Sequence, residues 1–110
     1  MERKIVYTKE IDIYIHDLMF VLFEKEYFSF FEDAQNYVEK MLSYIEKYVG
    51  ILPDKDAPSY FARYGANLKY ITCRANKSTT WYILYQQQAN IFLIIYITNN
   101  HFEGQYFNVE

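Results

Sequence analysis

The chain is poor in the residues that staple or punctuate small proteins. It has one cysteine, Cys73, so an intramolecular disulfide and a Cys-based zinc site are both excluded. With only three glycines and two prolines, it offers few turn signals and no Gly-rich phosphate loop. Positive charge is scarce too, at eleven Lys and Arg against fourteen Asp and Glu. The longest apolar run, from Ile91 to Ile97, is far short of the ~20 residues of a membrane-crossing helix. No basic, then apolar, then small-residue leader pattern opens the chain. A cytoplasmic protein without membrane contact is therefore expected. No cluster of His, Asp and Glu has metal-ligand spacing, and no cofactor or metal is expected.

Aromatic residues are what the chain has in excess: 13 Tyr, 9 Phe and one Trp in 110 residues. A tyrosine ring fills a core while its hydroxyl needs water or a partner. So many suggest a thin fold whose layers keep one edge wet, with some rings left for a recognition surface. The length suits one domain, spanning 1–110. The charge is uneven, at −5 over residues 1–58 and +2 over 59–110, which together give the net −3. An acidic first half and a weakly basic second half follow, and the acidic pI of about 5.4 weighs against nucleic-acid binding.

Lys4-Ile5-Val6-Tyr7 is β-prone, and Thr8 follows as a helix N-cap with Glu10 and Asp12 in the first turn. Ile11, Tyr14, Ile15, Leu18 and Leu22 share one helical face, although Ile11, Ile13 and Ile15 also alternate as a strand would. The second helix is expected from a capping box, Ser29-Phe30-Phe31-Glu32. It runs through Phe31, Ala34, Val38, Met41, Ile45 and Tyr48, with Lys47 in its last turn and Gly50 beyond. The stretch from Pro53 to Pro58 is a polar connector. Strands are expected over 68–74, 79–85 and 91–97, with turns over 75–78 and 87–90 and a break at Asn99-Asn100. The Ile91–Ile97 run, apolar on both faces, is expected to be central and covered on both sides. The tail, Phe102 to Phe107, is expected to pack back. The fold class expected is α+β: a short N-terminal strand, two helices, then a three-stranded antiparallel meander. The helices pack on one face of the sheet, and the first strand pairs beside the last.

This order resembles the RelE/ParE superfamily, the toxins of bacterial type II toxin–antitoxin systems. Trp81-Tyr82-Ile83-Leu84-Tyr85 looks like the family's aromatic–Arg–aliphatic–x–Tyr strand. Ile95-Tyr96-Ile97-Thr98-Asn99-Asn100-His101 looks like its last strand, which ends in a His- or Arg-bearing segment. Ile5-Val6-Tyr7-Thr8-Lys9-Glu10 looks like its opening. The resemblance implies a toxin held by a cognate antitoxin and acting either on ribosome-bound mRNA, as an endoribonuclease, or on DNA gyrase. Cleavage by 2′-hydroxyl attack needs proton transfer and positive charge on the phosphorane. His101 is the candidate for the first, and Arg74 and Lys69 for the second. Lys77, Tyr82 and Tyr96 are candidates for RNA contact. Tyr82 stands where the family's strand has Arg, which opens the alternative of a catalytically degenerate interaction module. Lys69 and Arg74 are five apart, so in a regular strand they face opposite ways. His16, Glu39 and Glu46 read as surface positions, and Cys73 as packing. A third reading, an α+β roll holding an apolar ligand, predicts a Tyr-lined cavity between helices and sheet.

Overall fold

Strand β1, Lys4–Tyr7, leads directly into helix α1, Lys9–Glu24. The Thr8 hydroxyl accepts the Ile11 N–H at 3.2 Å, and Glu10 and Asp12 offset the positive end of the helix dipole. Along α1, Ile11, Ile15 and Leu18 are buried while Ile13 is 52% exposed, so the helical period prevails over the alternating one. Helix α2, Phe31–Tyr48, buries Ala34, Val38, Met41 and Ile45. Arg3 reaches over from the start of the chain to the Val49 and Glu46 carbonyls, placing a cation at the carboxyl end of α2. The computed structural model describes residues 2–107.

The sheet has five strands and is mixed, in the order β1-β5-β4-β3-β2. Strand β2, Lys55–Asp56, is a two-residue edge, and a 3-10 turn, Ser59–Tyr64, follows it. Strands β3, Lys69–Arg74, β4, Thr80–Gln88, and β5, Ile91–Asn99, are antiparallel neighbours. β1 lies parallel to β5, with Lys4 opposite Ile91 and Tyr7 opposite Ile94. β5 continues past that point with β4 alone beside it. A bulge at Leu84/Tyr85 shifts the register, so both Ile95 and Tyr96 serve the face turned from α1 and α2.

Four expectations are corrected. Helices do not cover one face alone: α3, Asn100–Phe107, and the 3-10 turn cover the second. The break at Asn99-Asn100 falls where expected, but β5 runs to Asn99 rather than ending at Ile97, and α3 begins at Asn100 with no loop between. Gln87 and Gln88 belong to β4, and the turn is only Ala89-Asn90, with Ala89 at φ +54°. The cap of α2 is Phe30, with no side-chain bond, so the Ser29–Glu32 box does not form.

Two cores result. Under α1 and α2, Ile11, Val38, Ile45, Ile83, Tyr85 and Ile94 form the larger. On the opposite face, Phe61, Leu68 and Leu84 are ringed by Tyr60, Tyr70, Tyr82, Tyr96, Tyr106 and Phe107. The tyrosine excess is thereby accounted for, because hydroxyls at the margins of both cores find polar partners. Tyr7 donates to Glu46, Tyr85 to Asp54, and Tyr44 to the Thr72 carbonyl. Among the described residues no helix is long and apolar enough to cross a membrane.

Candidate functional site

Three of the six residues singled out from the sequence converge at one end of the sheet, where the β3–β4 turn meets the start of α3. The Arg74 guanidinium donates to the carbonyls of Asn76 and Lys77, at 3.2 and 3.1 Å. These bonds draw the turn over the end of its own strand. Asn76 in turn accepts from the Ser78 N–H and hydroxyl. Asn100 bridges turn and strand, accepting the Thr80 N–H at 2.9 Å and donating to the Ser78 carbonyl at 2.9 Å. Asn99, buried, caps α3 by accepting the N–H groups of His101 and Phe102. These bonds set the His101 ring against Thr79, with 3.0 Å between Nε2 and the hydroxyl. Arg74, Lys77 and His101 are all exposed, so this end offers a guanidinium, an ammonium and an imidazole to solvent.

The other three lie elsewhere. Lys69 is at the far end of β3, five residues and about 16 Å of strand from Arg74. It pairs with Asp56, whose hydrogen bond and charge hold its pKa above the usual lysine value. Tyr82 and Tyr96 lie in the second core. Tyr82 stacks on Phe107 at 3.7 Å between ring centroids, and Tyr96 on Tyr64 at 4.2 Å. One face of each ring is thus already taken. Cys73 is buried, and burial pushes its thiol pKa up, as expected of a packing residue.

A second feature has no counterpart among the residues proposed from sequence except Tyr96. A cleft of about 700 Å³ opens between the first turns of α1, the last half of β5, the 3-10 turn and α3. Glu103 lies in its wall, and the Tyr96 hydroxyl donates to its carboxylate at 2.6 Å. Tyr14 and Tyr64 also line it. Burial and then the Glu103 charge push the Tyr14 phenol up to about 12. The Tyr96 phenol is raised further, by burial and then by its bond to Glu103. The tail was read only as packing, so Glu103 was missed. No motif marks it, since its position depends on the turn of chain that Asn99 caps. No group of three or more His, Cys, Asp and Glu able to hold a metal occurs among the described residues.

These tyrosines predict an alkaline limit to stability. The phenols of Tyr7, Tyr14, Tyr85 and Tyr96 are all raised, chiefly by burial, above the ordinary value of 10.0. Each is neutral when protonated, and the folded state holds that proton more tightly than the unfolded chain does. Their stabilisation is therefore complete below pH 10 and is lost as pH rises through 12. The urea midpoint is expected to begin falling as pH passes 9.0, where the Cys73 thiol ionises in the unfolded chain, and to fall more steeply between pH 10 and 12. A midpoint that held to pH 12 would contradict these burials.

No protein-family model matches the chain, and neither a curated protein nor a solved structure matches it.

Proposed function

We propose that the chain is the toxin of a toxin–antitoxin pair, similar to the RelE/ParE superfamily, and that it inhibits translation by cleaving ribosome-bound mRNA. The observation that carries this reading is the convergence of Arg74, Lys77 and His101 on one exposed rim, held by Asn99 and Asn100. In the reaction a ribose 2′-oxygen attacks the adjacent phosphorus, and the bond from phosphorus to the 5′-oxygen breaks. One proton leaves the 2′-hydroxyl and another reaches the departing 5′-oxygen. His101 transfers one of them, with water as the second party, while Arg74 and Lys77 meet the charge on the phosphorane. Lys69, neutralised by Asp56, has no part in this scheme.

The antitoxin would cover the tip of the α1–α2 pair. Phe20, Val21, Phe23, Tyr27 and Phe30 are exposed there, the last two at 69%. Asp17, Glu24, Glu26, Glu32 and Asp33 stand close to them in the chain, against the single Lys25, and this excess of acid favours a segment that is apolar and basic.

His101→Ala is expected to lower mRNA cleavage about 100-fold, the usual share of a single proton-transfer group. Arg74→Ala should also lower it, but by loosening the 75–78 turn as well. Mapping 5′ ends of a reporter mRNA after brief induction checks this, with thermal unfolding to show that the His101 variant is folded. Cleavage at wild-type rate in the His101 variant would remove the scheme.

A second reading, a degenerate interaction module, is favoured by Tyr82. It stands at the family's strand arginine position and lies under Phe107. A folded, antitoxin-binding protein with no cleavage in the wild type would select it.

A further inference from the structure

The cleft around Glu103 has a chemistry that the toxin reading does not use. Its base is aliphatic where Ile11, Ile95 and Ile97 line it. Its walls are rings: Tyr14, Tyr64, Tyr96 and, at the mouth, Phe102, which is 69% exposed. The one carboxylate in the wall that is partly buried is Glu103, fixed by the Tyr96 hydroxyl. Glu10 adds a second carboxylate at the rim. Arg63 also borders the cleft, but its guanidinium lies over the Tyr60 ring at 3.9 Å and donates to the Tyr60 carbonyl. The N-terminus of α1 would attract an anion, but the Thr8 hydroxyl caps it and Glu10 and Asp12 stand in its first turn. Arg63 keeps its charge but is directed to Tyr60, so the cleft is lined by two carboxylates, Glu10 and Glu103, against one guanidinium, and its balance is negative.

From this juxtaposition we propose that the cleft binds an organic ammonium ion with an apolar body, its cationic head against Glu103 among the tyrosine rings. Ring faces attract cations, more strongly where water is excluded, and a carboxylate beside them fixes the position of the charge. A volume of about 700 Å³ takes a molecule of drug size and is too large for a bare ammonium ion. The apolar body of the ligand lies against Ile11, Ile95 and Ile97. This site is separate from the Arg74–Lys77–His101 rim and stands or falls without it.

Three probes of one shape test it: 4-phenylbutylammonium, 4-phenylbutanol and 4-phenylbutyrate, titrated into the full chain and followed by calorimetry and amide NMR shifts. The ammonium is expected to bind at least tenfold tighter than the alcohol, with shifts at residues 11–14, 95–97 and 103. In Glu103→Gln that ratio is expected to collapse while the alcohol binds as before. The amide keeps an oxygen for the Tyr96 hydroxyl, so the variant should fold, and unchanged spectra elsewhere would verify that. Equal binding of all three probes would reduce the cleft to an apolar trap and overturn the proposal. Tightest binding of the butyrate, or no binding of any probe at millimolar concentration, would overturn it as well.

Discussion

Phe61→Ala is expected to destabilise the protein by about 3–5 kcal/mol, the usual cost of emptying a phenylalanine site in a packed core. Phe61 is fully buried, although it comes from a short 3-10 turn in a loop-rich stretch. Its ring lies 4.7 Å from Phe107 and 6.0 Å from Tyr96 and meets Tyr60 edge-on. Removing it takes the keystone from the second core, where α3 is attached mainly through Tyr106 and Phe107. Whole-domain stabilities are commonly about 5–15 kcal/mol, so the loss is a large share of the total. Urea unfolding measures it, and limited proteolysis in the α3 region should become faster. A cost below about 1 kcal/mol would mean that the second face does not form a core.

Gly50→Ala is the second large effect, about 2–5 kcal/mol, from two causes that add. Gly50 follows α2 at φ +86°, a left-handed position that costs an L-residue about 1–2 kcal/mol. A Cβ there would stand 2.6 Å from the Phe92 ring, which is itself buried in the larger core, and such overpacking costs about 1–3 kcal/mol. Gly65 is the internal control. Its φ of 162° is extended backbone, and an added Cβ meets the side-chain amide of Gln86 at 3.0 Å, the group that bonds the Ala66 carbonyl, and Leu68 at an ordinary 3.5 Å. Gly65→Ala is expected to cost under about 1 kcal/mol in the same assay. Equal effects at the two sites would contradict the account of how α2 ends.

Gly50 was legible because a glycine after a clean helical period has few other uses. The same holds for α2 as a whole: Ala34, Val38, Met41 and Ile45 carry a single buried stripe, and a stripe at that spacing has one solution. The β5 run was legible for a different reason. An unbroken apolar strand must be covered twice, and it is. What covers its second face was not legible. The 3-10 turn and α3 together span few residues, α3 carries Gly104 and a non-helical Glu103, and neither has room for a period. The Gln87–Gln88 extension was missed because polar residues at an exposed strand end look like a turn. The true turn has its positive φ at Ala89 and its asparagine at the next position, Asn90, so no glycine or asparagine marks the left-handed residue.

The site was legible in its residue types and less so in its grouping. Parity alone separates Lys69 from Arg74, and the register agrees, with Lys69 opposite Tyr85 and Arg74 opposite Thr80. That Lys69 is paired with Asp56 depends on β2, two residues inside a connector, which no pattern announces. Tyr82 and Tyr96 were expected to offer their rings to bases. A ring beside a sheet looks the same in sequence whether a base or Phe107 lies on it. The roles of Asn99 and Asn100, as cap and as bridge, appear only once strand and helix abut without a loop.

The most direct test of the toxin reading is pulse incorporation of labelled amino acid and labelled thymidine in bacteria after brief induction of the wild-type chain. The account predicts a rapid fall in amino-acid incorporation while thymidine incorporation continues. A fall in thymidine first, or no change in either with folded protein present, would contradict it.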